Sequence, residues 1–314
     1  MIKTIYKSER HLKEQQIFND PEFLPHLEYV WIDLLCPTEH ECRIVEEHFS
    51  IRLLNQEQAE EIEASSKIFT KSNLIVLNLV YLSEREGEGA QLTPVWFYLF
   101  EHKLLSVRSQ NIATFNGVRD TILKSIQFNT GSEVGFLLVE ERIDHAAMNM
   151  KNMILKISAL NSKINVKRDL RNEVIHELNE RMEYLLMFRV ASMNTELTLS
   201  HLRSLPVLQD KQKIKLKIMQ NDVKTLLEYS EFSINRLDYM LTTFTAYISI
   251  EQNNSMKVFT MVTVASTPAI FISSFYGMNF DWVPMMHWKY GFQIAVVLMV
   301  ALTFCAVYWF RRLK

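Results

Sequence analysis

The stretch MKVFTMVTVASTPAIFISSFYGMNF occupies Met256 to Phe280. Its first part, Met256 to Phe275, is apolar apart from Lys257 at the start, and a second apolar segment, Tyr290 to Phe310, contains no acidic or basic residue. About 20 apolar residues at a rise of roughly 1.5 Å cover the roughly 30 Å hydrocarbon layer, so each segment is long enough to span a bilayer. Only Tyr276 to Lys289 lie between them, enough for a tight connection at the membrane surface. An integral membrane protein is expected, with its most unusual chemistry, Tyr276-Gly277-Met278-Asn279-Phe280, between two spans.

Working outward, flanking cations set the orientation. Arg311, Arg312 and Lys314 follow the second span, Lys257 opens the first, and the connection carries only Lys289. The positive-inside rule then places both termini in the cytoplasm and the 276–289 loop outside. The start, MIKTIYKSER, lacks the apolar run of a secretory signal, which agrees with a cytoplasmic amino-terminal region. Across 314 residues, 34 Lys+Arg stand against 36 Asp+Glu, so net charge argues for no acidic or basic partner. No basic face combined with stacking aromatics marks a nucleic-acid partner. Cys36, Cys42 and Cys305 are too scattered for a disulfide framework.

Glycine and proline divide the rest. Gly87, Gly89, Gly117, Gly131 and Gly135, with Pro21, Pro25, Pro37 and Pro94, fall within residues 1–135, a turn-rich module. Leu27–Leu35, Asn73–Leu82, Leu92–Phe100 and Lys103–Arg108 read as strands, the last two joined as a hairpin around Glu101-His102. Thr38 caps a helix reaching about Phe49, and Asn116–Gln127 returns to helical spacing. Strands mixed with helices make this an α+β cytoplasmic domain.

Residues 136–255 read as very long helices, because glycine and proline are nearly absent. Three are expected: Leu138–Leu160, Lys167–Leu205, and one from Asp210 onward. In the third, Val223, Leu227, Ser230, Ile234, Leu237, Leu241, Phe244 and Ile248 form a packing seam. With no stop signal after it, the helix is expected to run unbroken through residues 256–275, on the order of 100 Å of rise. Segment 290–310 is the second span and 311–314 a basic tail.

A second stripe of similar period, Asn253, Met256, Thr260, Thr263, Thr267, Ile270, Ser274 and Gly277, lies on one side of the first span; Val258, Phe259, Val262 and Phe271 occupy other faces. Aligned hydroxyls do not suit lipid. They serve either a close helix–helix contact or the wet wall of a pore. One such helix per chain cannot enclose a lumen, so a pore requires several copies. At the end of the stripe, Gly277 permits close backbone approach or a positive φ, and Asn279 offers a neutral carbonyl oxygen. Amides and carbonyls can hold a hydrated Mg²⁺ and release it, whereas a carboxylate grips. A simple helix cap is the competing reading of Gly-Met-Asn.

The stretch 256–280, the short Trp/Pro loop, the second span and the basic tail resemble the CorA family of divalent-cation channels, whose signature is Gly-Met-Asn. VWIDLLCPTEHE (Val30–Glu41) is similar to the family's strand-to-helix segment. The resemblance implies a funnel-shaped homopentamer in the inner membrane, in contact with lipid, with the first span lining the pore. It implies a selectivity ring of Gly277, Met278 and Asn279, a polar ring of Asn253 at the cytoplasmic mouth, and a hydrophobic constriction at Met256. It also implies closure by cytosolic Mg²⁺ at acidic sites between subunits, for which Asp222 and Asp238 are candidates; no organic cofactor is implied. One departure stands out. The loop reads Asp281-Trp282-Val283-Pro284-Met285-Met286-His287, without the family's glutamate, so Asp281 alone concentrates cations at the mouth.

Mg²⁺, with Co²⁺ or Ni²⁺, is the expected cargo. Softer Met285, Met286 and His287 keep a zinc transporter of the same family as an alternative; a membrane-anchored sensor or scaffold is another. With no nucleophile–base set, phosphate loop or HExxH, an enzyme is not expected. Cys36, His40 and Cys42 are read as packing residues rather than metal ligands, because His40 and Cys42 point to different faces of a helix.

Overall fold

The strand expected at Leu27–Leu35 runs from Glu28 to Leu35 (β3) in a computed structural model that describes residues 1–8, 11–17, 28–54, 68–71, 74–85, 89–124, 128–166, 171–206, 208–278, 284 and 288–312. Its alternation sets the layers. Ile32 and Leu34 join a core with Val45 of α1 (Glu39–Phe49), Tyr98 and Leu105. Trp31 faces the other way, with ring centroids 5.9 Å from Phe115 of α2 (Ala113–Lys124). The period of two that directs side chains to opposite faces thus places α1 on one side of the sheet and α2 on the other.

The sheet has the order β2-β1-β3-β7-β6-β5-β4 among the described residues. Its other strands are β1 (Ile2–Ser8), β2 (His11–Ile17), β4 (Ile68–Lys71), β5 (Leu74–Arg85), β6 (Gly89–Phe100) and β7 (Lys103–Arg108). Neighbours are antiparallel except β3 and β7, which pair in parallel. The β6–β7 hairpin turns at Glu101 and His102, both with positive φ, the pattern that matches the twist of the flanking strands. Across the parallel pair, Asp33 meets Arg108: Arg108 Nη2 donates to Asp33 Oδ2 at 2.7 Å and Ser106 Oγ to Asp33 Oδ1 at 2.8 Å. Both charges are buried, so this network tolerates no single deletion.

Thr38 caps α1 as expected, in a capping box with Glu41. The same device at Thr130 and Glu133 starts α3 (Gly131–Asn165), earlier than the expected Leu138. A Cβ at Gly131 would collide with the backbone of Lys103 and Leu104, so glycine lets α3 begin against the hairpin. Then come α4 (Asn172–Ser204) and α5 (Asp210–Tyr276), the latter 67 residues long. Pairs tie α5 to its neighbours: Lys215 to Glu140 of α3 at 2.7 Å, and Arg189 of α4 to Glu231 at 3.3 Å.

The α5 seam lies one residue away from the expected line on one of its two rows. Val223, Ser230, Leu237 and Phe244 are buried as expected, but the second row is Leu226, Ser233 and Met240, while Leu227, Ile234 and Leu241 are half-buried and Ile248 is exposed. Steps of three and of four both satisfy the heptad, and the partner helices, not polarity, select the row.

Chain contacts cluster into two units, Met1–Met240 and Leu241–Lys314. The second contains the remainder of α5 and α6 (Gly291–Arg312). Both of its helices contain stretches long and apolar enough to cross a membrane, and these stretches are almost wholly exposed within the chain.

Candidate functional site

The carboxy-terminal part of α5 has two distinct faces. One is shielded within the chain: Met261, Ala265, Pro268 and Ala269 are half-buried and Ile272 is buried. On α6, Gly291 and Ala295 are buried and Met299 half-buried, and Ser273 at the margin reaches Met299 Sδ at 3.9 Å. Small residues at these positions permit close approach of the two helices. Asn253, Met256, Thr260, Thr263, Thr267, Ile270, Ser274 and Gly277 are all exposed. The helix–helix reading of the hydroxyl stripe therefore fails within the chain: α6 packs on another face, and the stripe is left open. Phe259 and Phe271 are exposed as well, so openness alone does not distinguish the stripe from the lipid-facing sides; its polarity does.

The stripe hydroxyls are internally bonded. Thr260 Oγ1 donates to Met256 O at 2.8 Å, Thr263 Oγ1 to Phe259 O at 2.9 Å and Thr267 Oγ1 to Thr263 O at 2.7 Å. Each satisfies its hydrogen on the preceding turn, which lets a hydroxyl sit in an apolar helix at modest cost. Pro268, inside the helix, has no N–H to offer the carbonyl one turn earlier.

At its carboxy-terminal end α5 stops at Tyr276. Gly277 N–H donates to Ser273 O at 2.9 Å, continuing the helical pattern by one residue. Of the two uses expected of Gly277, a positive φ is not found, and an added Cβ would lie 3.1 Å from Ser273 O, the carbonyl one turn back on the same helix. Met278 is exposed. Asn279 and Asp281, like Met285, Met286 and His287, lie outside the described residues. Trp288 and Tyr290, edge to face at 6.4 Å, stand exposed where α6 begins, as interfacial aromatics do.

The acidic candidates are far apart. Asp222 and Asp238 are both exposed on α5, sixteen residues or about 24 Å of helix from each other, too far to share an ion within one chain. Among the described residues no three His, Cys, Asp or Glu side chains gather as a metal site. That includes Cys36, whose Sγ contacts Ser109 O at 2.8 Å and which is exposed rather than buried, and the half-buried Cys42, whose thiol pKa burial raises. The packing face of α5, from Met261 to Ile272, was not anticipated, although small Ala265 and Ala269 four residues apart signal it.

The family model described as CorA-like Mg²⁺ transporter protein matches residues 27–312. The magnesium transport protein CorA of Haemophilus influenzae is 30% identical over 287 residues, covering 90% of this chain and 91% of that protein. The protein of the same name from Wolinella succinogenes is 27% identical, covering 91% and 90%. Among solved structures, the complete CorA magnesium transporter of Methanocaldococcus jannaschii superposes with a TM-score of 0.79 at 18% identity, covering 99% of this chain and 98% of that one. The ZntB cytoplasmic domain of Vibrio parahaemolyticus gives a TM-score of 0.60 at 10% identity, over 78% and 97%. These structural likenesses concern the fold.

Proposed function

The chain belongs to the CorA-like Mg²⁺ transporter family, and we propose that it assembles as a homopentamer whose first spans enclose a pore for hydrated Mg²⁺, with Co²⁺ and Ni²⁺ as further cargo. The observation that carries this reading is the open hydroxyl stripe of α5, turned away from α6, the other candidate span among the described residues. In the proposed pore Thr260, Thr263, Thr267, Ile270 and Ser274 form the wall, Asn253 the cytoplasmic ring and Met256 the constriction. Gly277, Met278 and Asn279 form the outer ring, where neutral oxygens hold an ion through its waters and let it go. Asp281 attracts cations to the mouth.

The setting we propose is the inner membrane with both termini in the cytoplasm. Cytosolic Mg²⁺ closes the pore at sites shared between subunits. Asp222 and Asp238, exposed and too distant to cooperate within one chain, suit ligands that meet a neighbour's. No energy source beyond the electrochemical gradient is invoked.

Uptake by proteoliposomes tests the reading. Mg²⁺ should enter without a pH gradient, and Asn279→Ala or Gly277→Ala should abolish flux while the oligomer persists. Zn²⁺ uptake that depends on a pH gradient would assign the zinc alternative, and uptake of neither ion would leave a sensor or scaffold.

A further inference from the structure

A cavity of about 300 Å³ lies within the amino-terminal unit, where β5, the segment before α2, α3 and α4 meet. Among the described residues its wall contains one formally charged residue, Arg142 of α3, and no carboxylate. Arg142 is 7% exposed. Its Nη2 donates to Val80 O and, at 2.9 Å, to Ala191 O, and its guanidinium carbon lies 5.0 Å from the ring centre of Tyr81. Among the described residues no acidic side chain forms an ion pair with it. Burial pulls its pKa down to about 10, and it remains a cation at neutral pH.

A buried charge without a counter-charge is expensive, and buried polar atoms without partners are rare enough to need a reason. Here they gather. Among the described residues Arg142 Nε, Tyr81 Oη and Thr114 Oγ1 have no hydrogen-bond partner, and all three residues border the same space. Burial raises the Tyr81 pKa further, keeping its hydroxyl protonated and a donor. His145, Asn149 and Ser192 add polar groups to the wall, while Ile112, Tyr184 and Phe188 supply an apolar side. Donors around one cation match an oxyanion, and the volume and apolar side match an organic body attached to it.

We propose that this cavity is a binding site for a small organic oxyanion, a phosphate ester or a polycarboxylate, with Arg142 as its counter-charge. The guanidinium already ties β5 to α4 through Val80 and Ala191, so the ligand seats on the joint between the sheet and the helices. Every residue named in its wall lies in the amino-terminal unit, and the proposal is independent of what the spans conduct.

Calorimetric titration of the full-length protein in detergent and Mg²⁺-free buffer tests this, with adenosine monophosphate and citrate as probes and adenosine as the uncharged control. One of the two anions should bind saturably at one per chain and raise the thermal midpoint, and adenosine should not bind. Arg142→Gln should weaken binding at least roughly tenfold. Should that variant fail to fold, Ala146→Leu, which narrows the cavity without touching the charge, should do the same. The proposal is overturned if neither anion binds at up to about 10 mM, if binding survives Ala146→Leu, or if a map of the assembled protein shows a neighbouring chain's carboxylate in the cavity. Because the readout is binding, its failure leaves the ion-conduction reading untouched.

Discussion

Tyr98 on β6 is 1% exposed, and its hydroxyl accepts a hydrogen bond from Leu54 N–H at 3.0 Å. Burial, chiefly, pushes its pKa up to about 12 from the ordinary 10. The folded protein therefore keeps a proton that the unfolded chain gives up at the ordinary value. The associated stability is complete below pH 10 and declines as pH climbs towards 12, by about 2–3 kcal/mol in all. Thermal melts between pH 9 and pH 12 should show the decline, and Tyr98→Phe should flatten it relative to the parent while lowering the neutral-pH midpoint slightly through the lost acceptor. At this scale the sequence was a partial guide. Gly277 is marked out by its motif; the space around it is tight only against the carbonyl of Ser273, one turn back on its own helix. Arg142 belongs to no motif, and its one sequence signal is a cation among Leu138, Val139 and Ile143 where a helical period demands an apolar residue.

Elements were legible wherever one period ran long enough. The spacing finds β7 at Lys103–Arg108, α1 with its Thr38 cap and the unbroken α5. β1 and β2 were missed because IKTIYKS and HLKEQQI carry too many polar residues to stand out as strands. The β3–β7 pairing is equally hidden, since it joins residues more than seventy positions apart and depends on the buried Asp33–Arg108 contact. Two glycines test how the helices are seated. Gly131→Ala drives a methyl group into the hairpin backbone, so destabilisation of about 3 kcal/mol or more is expected. Gly117→Ala, inside α2 with open space around it, should instead stabilise by about 0.5–1 kcal/mol. Thermal midpoints of the two purified variants should move in opposite directions.

For the whole molecule, the proposed pore requires more than one copy, because α5 offers a single polar stripe and α6 covers a different face of it. Native mass spectrometry of the detergent-solubilised protein should give five chains; a folded monomer would end the pore reading. The stripe was legible because hydroxyls in a span contradict their solvent. Its orientation relative to α6 was not, since apolar residues occupy both the lipid side and the packing side. The Thr260, Thr263 and Thr267 hydroxyls already spend their hydrogens on backbone carbonyls. What they turn outward is lone pairs alone. Water around a cation points its oxygen inward and its hydrogens out, whereas water around an anion does the reverse. At these three threonines the proposed wall is a one-way hydrogen-bond surface that greets the shell of a cation and has nothing to donate to that of an anion, so along this stretch of the bore charge discrimination rests on the direction of the bonds and needs no charged side chain.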